Sequence, residues 1–290
     1  MAVESLPIEA ATSEQRNRRA IRRRNGVRSA LVIAGLGVAT FLPLYLWLLA
    51  LQADDRSAAA IGMSSMHMDR LGVFWSFPVL QAAGLAALIW AYLGVGLGLL
   101  ESGRRIRWLP LSKPQIDRTH RQISLLVIGL IAVHVVATAF DAMGDDAKTV
   151  LLPWQESWTA AVFGYNIGIL AMYLAVLLGP TYYLRRWLGP RTWRFAHRFV
   201  LVVYILSVWH TLILGADVEY YGWIRPFIWT MQLPLLALFA WRLLQPAASM
   251  SAPWARVVRY GLVGLSGVTA SGIIVMVANG SWDTVVHSIQ

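Results

Sequence analysis

The 290-residue sequence contains no cysteine, and only 14% of its residues are charged. The absence of cysteine excludes disulfides, thiolate metal sites, iron–sulfur clusters and cysteine nucleophiles. So low a content of charged residues, beside a hydrophobic content of 57%, excludes a soluble globular domain, whose surface needs more polar side chains. The apolar side chains must therefore face lipid, and the sequence is that of an integral membrane protein.

Seven long stretches lack charged residues and are predicted to cross a bilayer as helices, each of which needs about 20 residues. The six helices of one bundle, within residues 29–245, are predicted at about 29–53, 71–100, 119–140, 157–184, 196–216 and 223–243. A seventh helix is predicted at about 257–280, in a C-terminal region 246–290 with a short external tail. The predicted fold class is therefore all-α and integral to the membrane.

Residues 1–28 form a polar, basic arm that is predicted to be disordered and cytoplasmic. The apolar stretch after the arm is too long for the core of a signal peptide. The first helix is therefore predicted to be retained in the membrane.

The segments that separate the uncharged stretches alternate in charge; these stretches are 29–53, 71–100, 122–140, 157–184, 199–216, 226–241 and 260–282. From the N-terminal arm to the C-terminal tail they hold 7, 2, 6, 1, 5, 1, 3 and 0 Lys and Arg residues. Because loops rich in Lys and Arg remain in the cytoplasm, the N-terminus is predicted to be cytoplasmic and the C-terminus external, in a plasma or inner membrane. The net charge of +10 then reflects topology and attraction to the lipid bilayer, and no nucleic acid partner is expected.

Four of the six histidines lie on the third and fifth predicted helices. His134 follows His120 by 14 residues, and His210 follows His197 by 13. At about 1.5 Å per residue, the two histidines of each helix are roughly 20 Å apart, so no single metal ion bridges them. Because the two helices run in the same direction, His120 should meet His197 near the cytoplasm (the inner pair). His134 should meet His210 nearer the outside (the outer pair).

The helical spacing supports this pairing only in part. On an ideal helix, 14 residues return to within roughly 40° of the starting face, but 13 residues end roughly 140° away from it. A kink, a tilt or a lateral offset of the two sites must therefore absorb the difference between His197 and His210.

An ionisable side chain at membrane depth requires a partner or a ligand. Two imidazoles alone make a poor closed site for a bare transition-metal ion, whereas a haem supplies four further ligands to its iron. Two haems, one for each histidine pair, are therefore predicted. A transporter or channel that uses His134 and His210 as a proton relay is an alternative, although it gives no reason for His120 and His197 at matched depth.

The two helices also carry distinctive runs around their first histidines. The third helix contains the His-Arg-Gln run that begins at His120, and the fifth contains the Trp-Arg-Phe-Ala-His-Arg run that begins at Trp193. With the paired histidine spacings, this pattern resembles the ferric reductase-like transmembrane domain of ferric reductases, NADPH oxidases and the haem subunit of a bacterial methionine sulfoxide reductase system. The resemblance covers about residues 30–245. It implies two b-type haems with four axial ligands: His120, His134, His197 and His210.

The resemblance further implies an oxidoreductase that moves electrons from a cytoplasmic or membrane donor to an external acceptor. In ferric reductases and NADPH oxidases a flavin- and nicotinamide-binding domain follows the sixth helix, but here a seventh helix follows Arg242. The electron donor is therefore expected to be separate from this chain. It would be either a cytoplasmic flavin reductase, which would carry the flavin, or a quinol. The acceptor is expected to be a ferric or cupric ion, or an external partner oxidoreductase that this chain serves as a haem-binding subunit.

Charged residues near the inner pair suggest further roles. Arg121 and Arg198 are expected to contact haem propionates, since guanidinium groups pair well with carboxylates. Positive-inside topology alone would also place arginines there. Asp117 is predicted to be a helix N-cap rather than a catalytic acid.

A second candidate site lies in the predicted external loop between the first two helices. Three thioethers and an imidazole suit soft Cu(I), and these residues are Met63, Met66, His67 and Met68. Methionines that fill the apolar face of a short interfacial helix explain the same run equally simply.

Two glycine patterns are predicted to serve packing. Gly94, Gly96 and Gly98 lie inside the second helix with no strand before them, so close helix contact is favoured over phosphate binding. A stripe of small residues that includes Gly261 and Gly264 in the seventh helix is interpreted as packing or partner contact.

Overall fold

The computed structural model describes residues 8–52, 75–102, 112–140, 147–153, 159–215, 223–245 and 253–281. Within these ranges the chain forms helices and turns, and no strand. The helices are α1 (Ile8–Gln52), α2 (Ser76–Ser102), α3 (Lys113–Ala139), α4 (Ala147–Leu151), α5 (Ala160–Leu178), α6 (Thr181–Leu188), α7 (Pro190–His197), α8 (Val200–Leu214), α9 (Ile224–Leu244) and α10 (Pro253–Ala278).

The helices account for all of the predicted membrane spans. Six stretches of the described chain, one of which joins α7 and α8, are long and apolar enough to cross a membrane. The bent pair of α5 and α6 makes a seventh. The predicted all-α fold with six to seven membrane-spanning helices is confirmed, and the chain is a multi-pass membrane protein.

The first helix begins far earlier than the sequence suggests. It starts at Ile8, so residues 8–28 are helical, which corrects the prediction of a disordered arm for that part of the chain. This segment lacks proline, and ten of its 21 residues are Ala or Arg, which favour helix. It also continues directly into an apolar helix, so no separate nucleation is needed.

The third helix also begins earlier than predicted, at Lys113. Ser112 is its N-cap, and the Gln115 side chain accepts a hydrogen bond of 2.8 Å from the Ser112 backbone N–H. Asp117 lies in the second turn and pairs instead with Arg121 at 3.5 Å. The prediction that Asp117 is the N-cap is therefore wrong.

Two breaks separate α5 from α7, around the C-terminal end of the predicted helix 157–184. The chain bends by 54° between α5 and α6, at Gly179 and Pro180, because proline lacks the N–H that would continue the α5 ladder. Gly189 then separates α6 from α7 with a φ of +77°, a left-handed conformation that favours glycine. The chain therefore reverses before it enters the span that carries His197 and His210.

A third break lies inside that span, between α7 and α8. The backbone N–H groups of Arg198 and Phe199 donate to carbonyls three residues earlier, at 3.2 and 3.0 Å. Such 3₁₀-type bonds wind the chain at about 3.0 residues per turn rather than 3.6. The additional rotation acts on the 13 residues between His197 and His210, where an ideal α-helix would leave the two side chains on different faces.

The helices that carry the histidines each pack on a different neighbour. The most extensive contacts join α2 to α3, then α5 to α8 and α9 to α10, while α1 lies against α2 and α3. On α2 the small buried residues Ala86 and Ala87 pack in one cluster with Ile123 and Leu130 of α3, which allows the helices to approach closely. Helix α3 is thus positioned by α2, and helix α8 by α5.

The seventh span, α10, packs on α9, and its buried residue Ile273 lies in one cluster with Ile228 and Trp229 of α9. A Cβ atom added at Gly261, Gly264 or Gly267 would meet no atom within 4 Å. These glycines do not serve packing within the part of the chain that the structure describes, and partner contact there stays a prediction.

Candidate functional site

The structure brings the four helical histidines together in two facing pairs. The ring centroids of His120 and His197 are 6.0 Å apart, with an angle of 89° between the ring planes. Those of His134 and His210 are 6.1 Å apart, at 87°. The inner and outer pairs therefore have nearly the same geometry.

Three of the four imidazoles are held by a backbone carbonyl of the neighbouring helix. The Nδ1 contacts are His120 with Gly94 at 2.9 Å, His134 with Leu80 at 2.7 Å and His210 with Gly164 at 2.9 Å. Because a carbonyl oxygen only accepts hydrogen bonds, Nδ1 must be the protonated nitrogen in each ring. In the neutral imidazole this leaves the Nε2 lone pair free to bind a metal.

A glycine lies four residues after each accepting carbonyl, and the imidazole packs on it. These glycines are Gly84, Gly98 and Gly168. A Cβ atom added at Gly84 or Gly98 would lie 3.1 or 3.2 Å from the histidine ring, and one at Gly168 only 2.5 Å from Cε1 of His210. In a helix the carbonyl of one residue points toward the residue four positions later. A glycine at that position therefore leaves the carbonyl open to the Nδ1–H group.

The fourth histidine, His197, has a different support. Its ring stacks on Trp193 one turn earlier, with centroids 5.2 Å apart and planes at 19°. Trp193 also contacts Tyr182 edge-to-face at 6.2 Å, and the Tyr182 hydroxyl accepts a hydrogen bond of 2.9 Å from Nη1 of Arg121. The reversal between α6 and α7 thus carries an aromatic cluster to the inner pair.

All four histidines line one cavity of about 1460 Å³. The lining contains seven Lys or Arg residues, Arg121 and Arg198 among them, and two acidic residues, Glu101 and Asp117. These charged residues lie on the side of the inner pair, so that end is cationic and the end around the outer pair is apolar. Helix α10 contributes Arg259 to the lining, a role beyond the predicted packing or partner contact.

The second candidate site, formed by Met63, Met66, His67 and Met68, lies outside the described residues. Among the residues that the structure describes, no three His, Cys, Asp or Glu side chains are arranged to hold a metal ion.

Sequence reasoning missed the residues that anchor the imidazoles. It assigned the glycine run of the second helix to packing, which holds for Gly96 against Leu235 at 3.6 Å, but did not connect Gly98 with His120. A signal was present, since Gly84 and Gly98 are separated by the same 14 residues as the histidines of the antiparallel α3. Nothing comparable in the sequence points to Gly164 and Gly168.

The fold and the site together define a multi-pass helical membrane protein with two internal histidine pairs beside one large cavity. Residues 83–208 match the family model described as ferric reductase like transmembrane component, so this segment is similar to that family. The predicted resemblance is confirmed over this segment, which is shorter than the expected range 30–245. It contains His120, His134 and His197 and ends two residues before His210. No curated protein and no solved structure matches the chain significantly.

Proposed function

We propose that the protein is a di-haem b cytochrome that carries electrons across a membrane, as an oxidoreductase of ferric reductase-like type. The observation that carries the proposal is the presence of two facing imidazole pairs, at 6.0 and 6.1 Å, on helices of a ferric reductase-like domain. His120 and His197 would hold one haem, and His134 and His210 the other.

The spacing of the rings would allow each pair to hold one metal ion between its two imidazoles. With metal–nitrogen bonds of about 2.0 Å, two imidazoles on opposite sides of one metal ion have ring centroids roughly 6 Å apart. The Nδ1 contacts support the same role, because they fix three of the rings and direct Nε2 away from the anchoring helix.

The cavity is large enough for two cofactors. Its volume of about 1460 Å³ exceeds the roughly 300–1000 Å³ that is usual for one small-molecule site. Its apolar walls suit a porphyrin, and Arg121 and Arg198 at its cationic end would pair with propionate groups. A haem held by two histidines would supply one-electron transfer.

The residues of the chain would keep the two sites apart and dry. The side chains between the pairs in the cavity are mostly apolar, among them Ile131 of α3 and Leu88 of α2, so they exclude water from the span between the sites. A separate cytoplasmic flavin reductase or a quinol would supply the electrons. A ferric or cupric ion, or an external partner oxidoreductase, would accept them.

Visible spectroscopy of the purified protein tests the proposal. The dithionite-reduced minus oxidised spectrum should show the sharp bands of low-spin haem b, and the pyridine haemochrome assay should give two haems per chain. A value of one would mean that a single pair is occupied, and a colourless protein would overturn the proposal.

The proposed direction of transfer requires a cytoplasmic N-terminus and an external C-terminus. Alkaline phosphatase fused after Gln290 should therefore be active in bacterial cells, because this reporter folds only outside the cytoplasm. Green fluorescent protein fused at the same point should be dark, because the secretory route would export it from the cytoplasm. The reverse result at this terminus would invert the proposed topology.

A further inference from the structure

The aromatic ring of Tyr182, at the inner end of the cavity, is flanked by two guanidinium groups. Cζ of Arg185 lies 4.3 Å from the ring centroid, and Cζ of Arg121 lies 5.0 Å from it. Asp117 pairs with Arg121 at 3.5 Å, and Glu101 also lines the cavity. The lining thus contains two carboxylates and seven Lys or Arg residues. The surplus of positive charge in a partly apolar space favours the binding of a further anion.

Two buried N–H groups beside this ring point to the same ligand. Nε of Arg121 and Nε1 of Trp193 are both buried, and neither has a hydrogen-bond acceptor within the described ranges. Both residues line the cavity. A buried donor without an acceptor destabilises a protein, so an acceptor is expected in the cavity itself.

The guanidinium of Arg121 is already oriented for this task. Its Nη1 donates to the Tyr182 hydroxyl at 2.9 Å, and its Nη2 faces Asp117. These contacts fix the plane of the group and leave Nε as the donor without a partner. Trp193 is fixed in turn between Tyr182 and His197.

We propose that Arg121, Arg185 and Trp193 form a binding site for an oxyanion, a carboxylate or a phosphate group, beside Tyr182. If the oxyanion is a haem carboxylate, the site rests on the proposed function and deepens it by adding the Trp193 indole to the expected arginine contacts. If it is a separate phosphate-bearing ligand, the site is independent of haem.

The site adjoins the inner pair alone. Trp193 stacks on His197, and Arg121 follows His120 directly in α3. The outer pair is held by carbonyls of α2 and α5. Loss of the oxyanion contacts should therefore affect the inner pair and spare the outer one.

The variant Trp193→Phe tests the site, because phenylalanine keeps an aromatic ring on His197 and removes the N–H group. Trp187→Phe is the matched control, since Trp187 lies on the neighbouring α6 with 81% of its surface exposed and does not line the cavity. Full-length protein from haem-deficient cells is titrated with haem b and with haem b dimethyl ester, which has no free carboxylate. Thermal unfolding is measured with and without inorganic phosphate.

If a haem carboxylate is the ligand, Trp193→Phe should weaken haem b binding about tenfold at one of two sites, as expected for a hydrogen bond to a charged group. The dimethyl ester should then bind wild type and variant equally. If a separate anion is the ligand, phosphate should raise the unfolding temperature of wild type and Trp187→Phe more than that of Trp193→Phe. Arg121→Lys, which keeps the charge and loses Nε, should change both measurements in the same direction as Trp193→Phe.

The proposed site would be overturned if Trp193→Phe and Arg121→Lys behaved as wild type does toward haem b, its dimethyl ester and phosphate. Failure of every protein to bind haem would overturn the proposed function instead. The phosphate measurement would then decide alone whether the oxyanion site exists.

Discussion

Replacement of His210 by alanine should remove one haem from the purified protein and halve the pyridine haemochrome count. The proposed outer site has one imidazole from α3 and one from α8, 6.1 Å apart, and loss of either leaves the iron with a single protein ligand. His134→Ala should therefore have the same effect. His120→Ala and His197→Ala should remove the other haem, and the double variant of His120 and His134 should be colourless.

The two remaining histidines provide the control. His67 and His287 complete the set of six and lie on neither α3 nor α8, so alanine at either position should leave both haems bound. Two haems in His210→Ala would show that the outer ligand is another residue. Loss of all haem from that single variant, with the protein still folded by circular dichroism, would show that the two sites do not form independently.

An equally large effect is expected from a residue that cannot bind iron at all. In Gly168→Ala, the new Cβ would lie 2.5 Å from Cε1 and 3.0 Å from Cγ of His210, closer than carbon atoms approach. The ring must move off the Gly164 carbonyl, so the outer haem should be lost or bound at least tenfold more weakly although His210 is intact. Haem stoichiometry and haem titration measure this directly.

Alanine at other glycines should have smaller effects on haem binding, because the added Cβ would be farther from a histidine ring. Gly84→Ala and Gly98→Ala bring the Cβ to 3.1 and 3.2 Å from a histidine ring, which a small shift relieves, so each should weaken one haem site only a few-fold. Gly129→Ala meets nothing within 4 Å and should bind both haems as wild type does. Wild-type haem affinity in Gly168→Ala would show that the imidazole does not depend on the glycine.

Charge and hydropathy were sufficient to predict the membrane spans, because each span is a property of consecutive residues. The pairing of His120 with His197 and of His134 with His210 was likewise predictable from depth on parallel helices. What depth could not supply is the rotation between His197 and His210. The 3₁₀-type bonds at Arg198 and Phe199 supply part of that rotation, about 20° per residue, and no proline or glycine marks them in the sequence.

The surroundings of the pairs were harder to predict, since they depend on contacts between distant helices. Trp193 was visible as part of a distinctive run, but its contact with Tyr182 arises only when α6 and α7 reverse around Gly189. The anchors of His210 lie 46 and 42 residues away, at Gly164 and Gly168, and their position is set by the packing of α5 on α8. Single-sequence periodicity describes each helix and contains no information on such partners.

The shared anchoring of two histidines on α2 limits how this helix can change in length. The backbone carbonyls of Leu80 and Gly94 accept hydrogen bonds from His134 and His120, respectively. The two carbonyls are 14 residues apart, and so are the two histidines. One residue inserted in α2 between these carbonyls would turn the next one by about 100° and move it by about 1.5 Å along the axis. One of the two imidazoles would then lose its acceptor, whichever way the helix shifted. Insertions and deletions should therefore be tolerated in the loops of this protein and rejected between residues 80 and 94 unless α3 changes by the same amount.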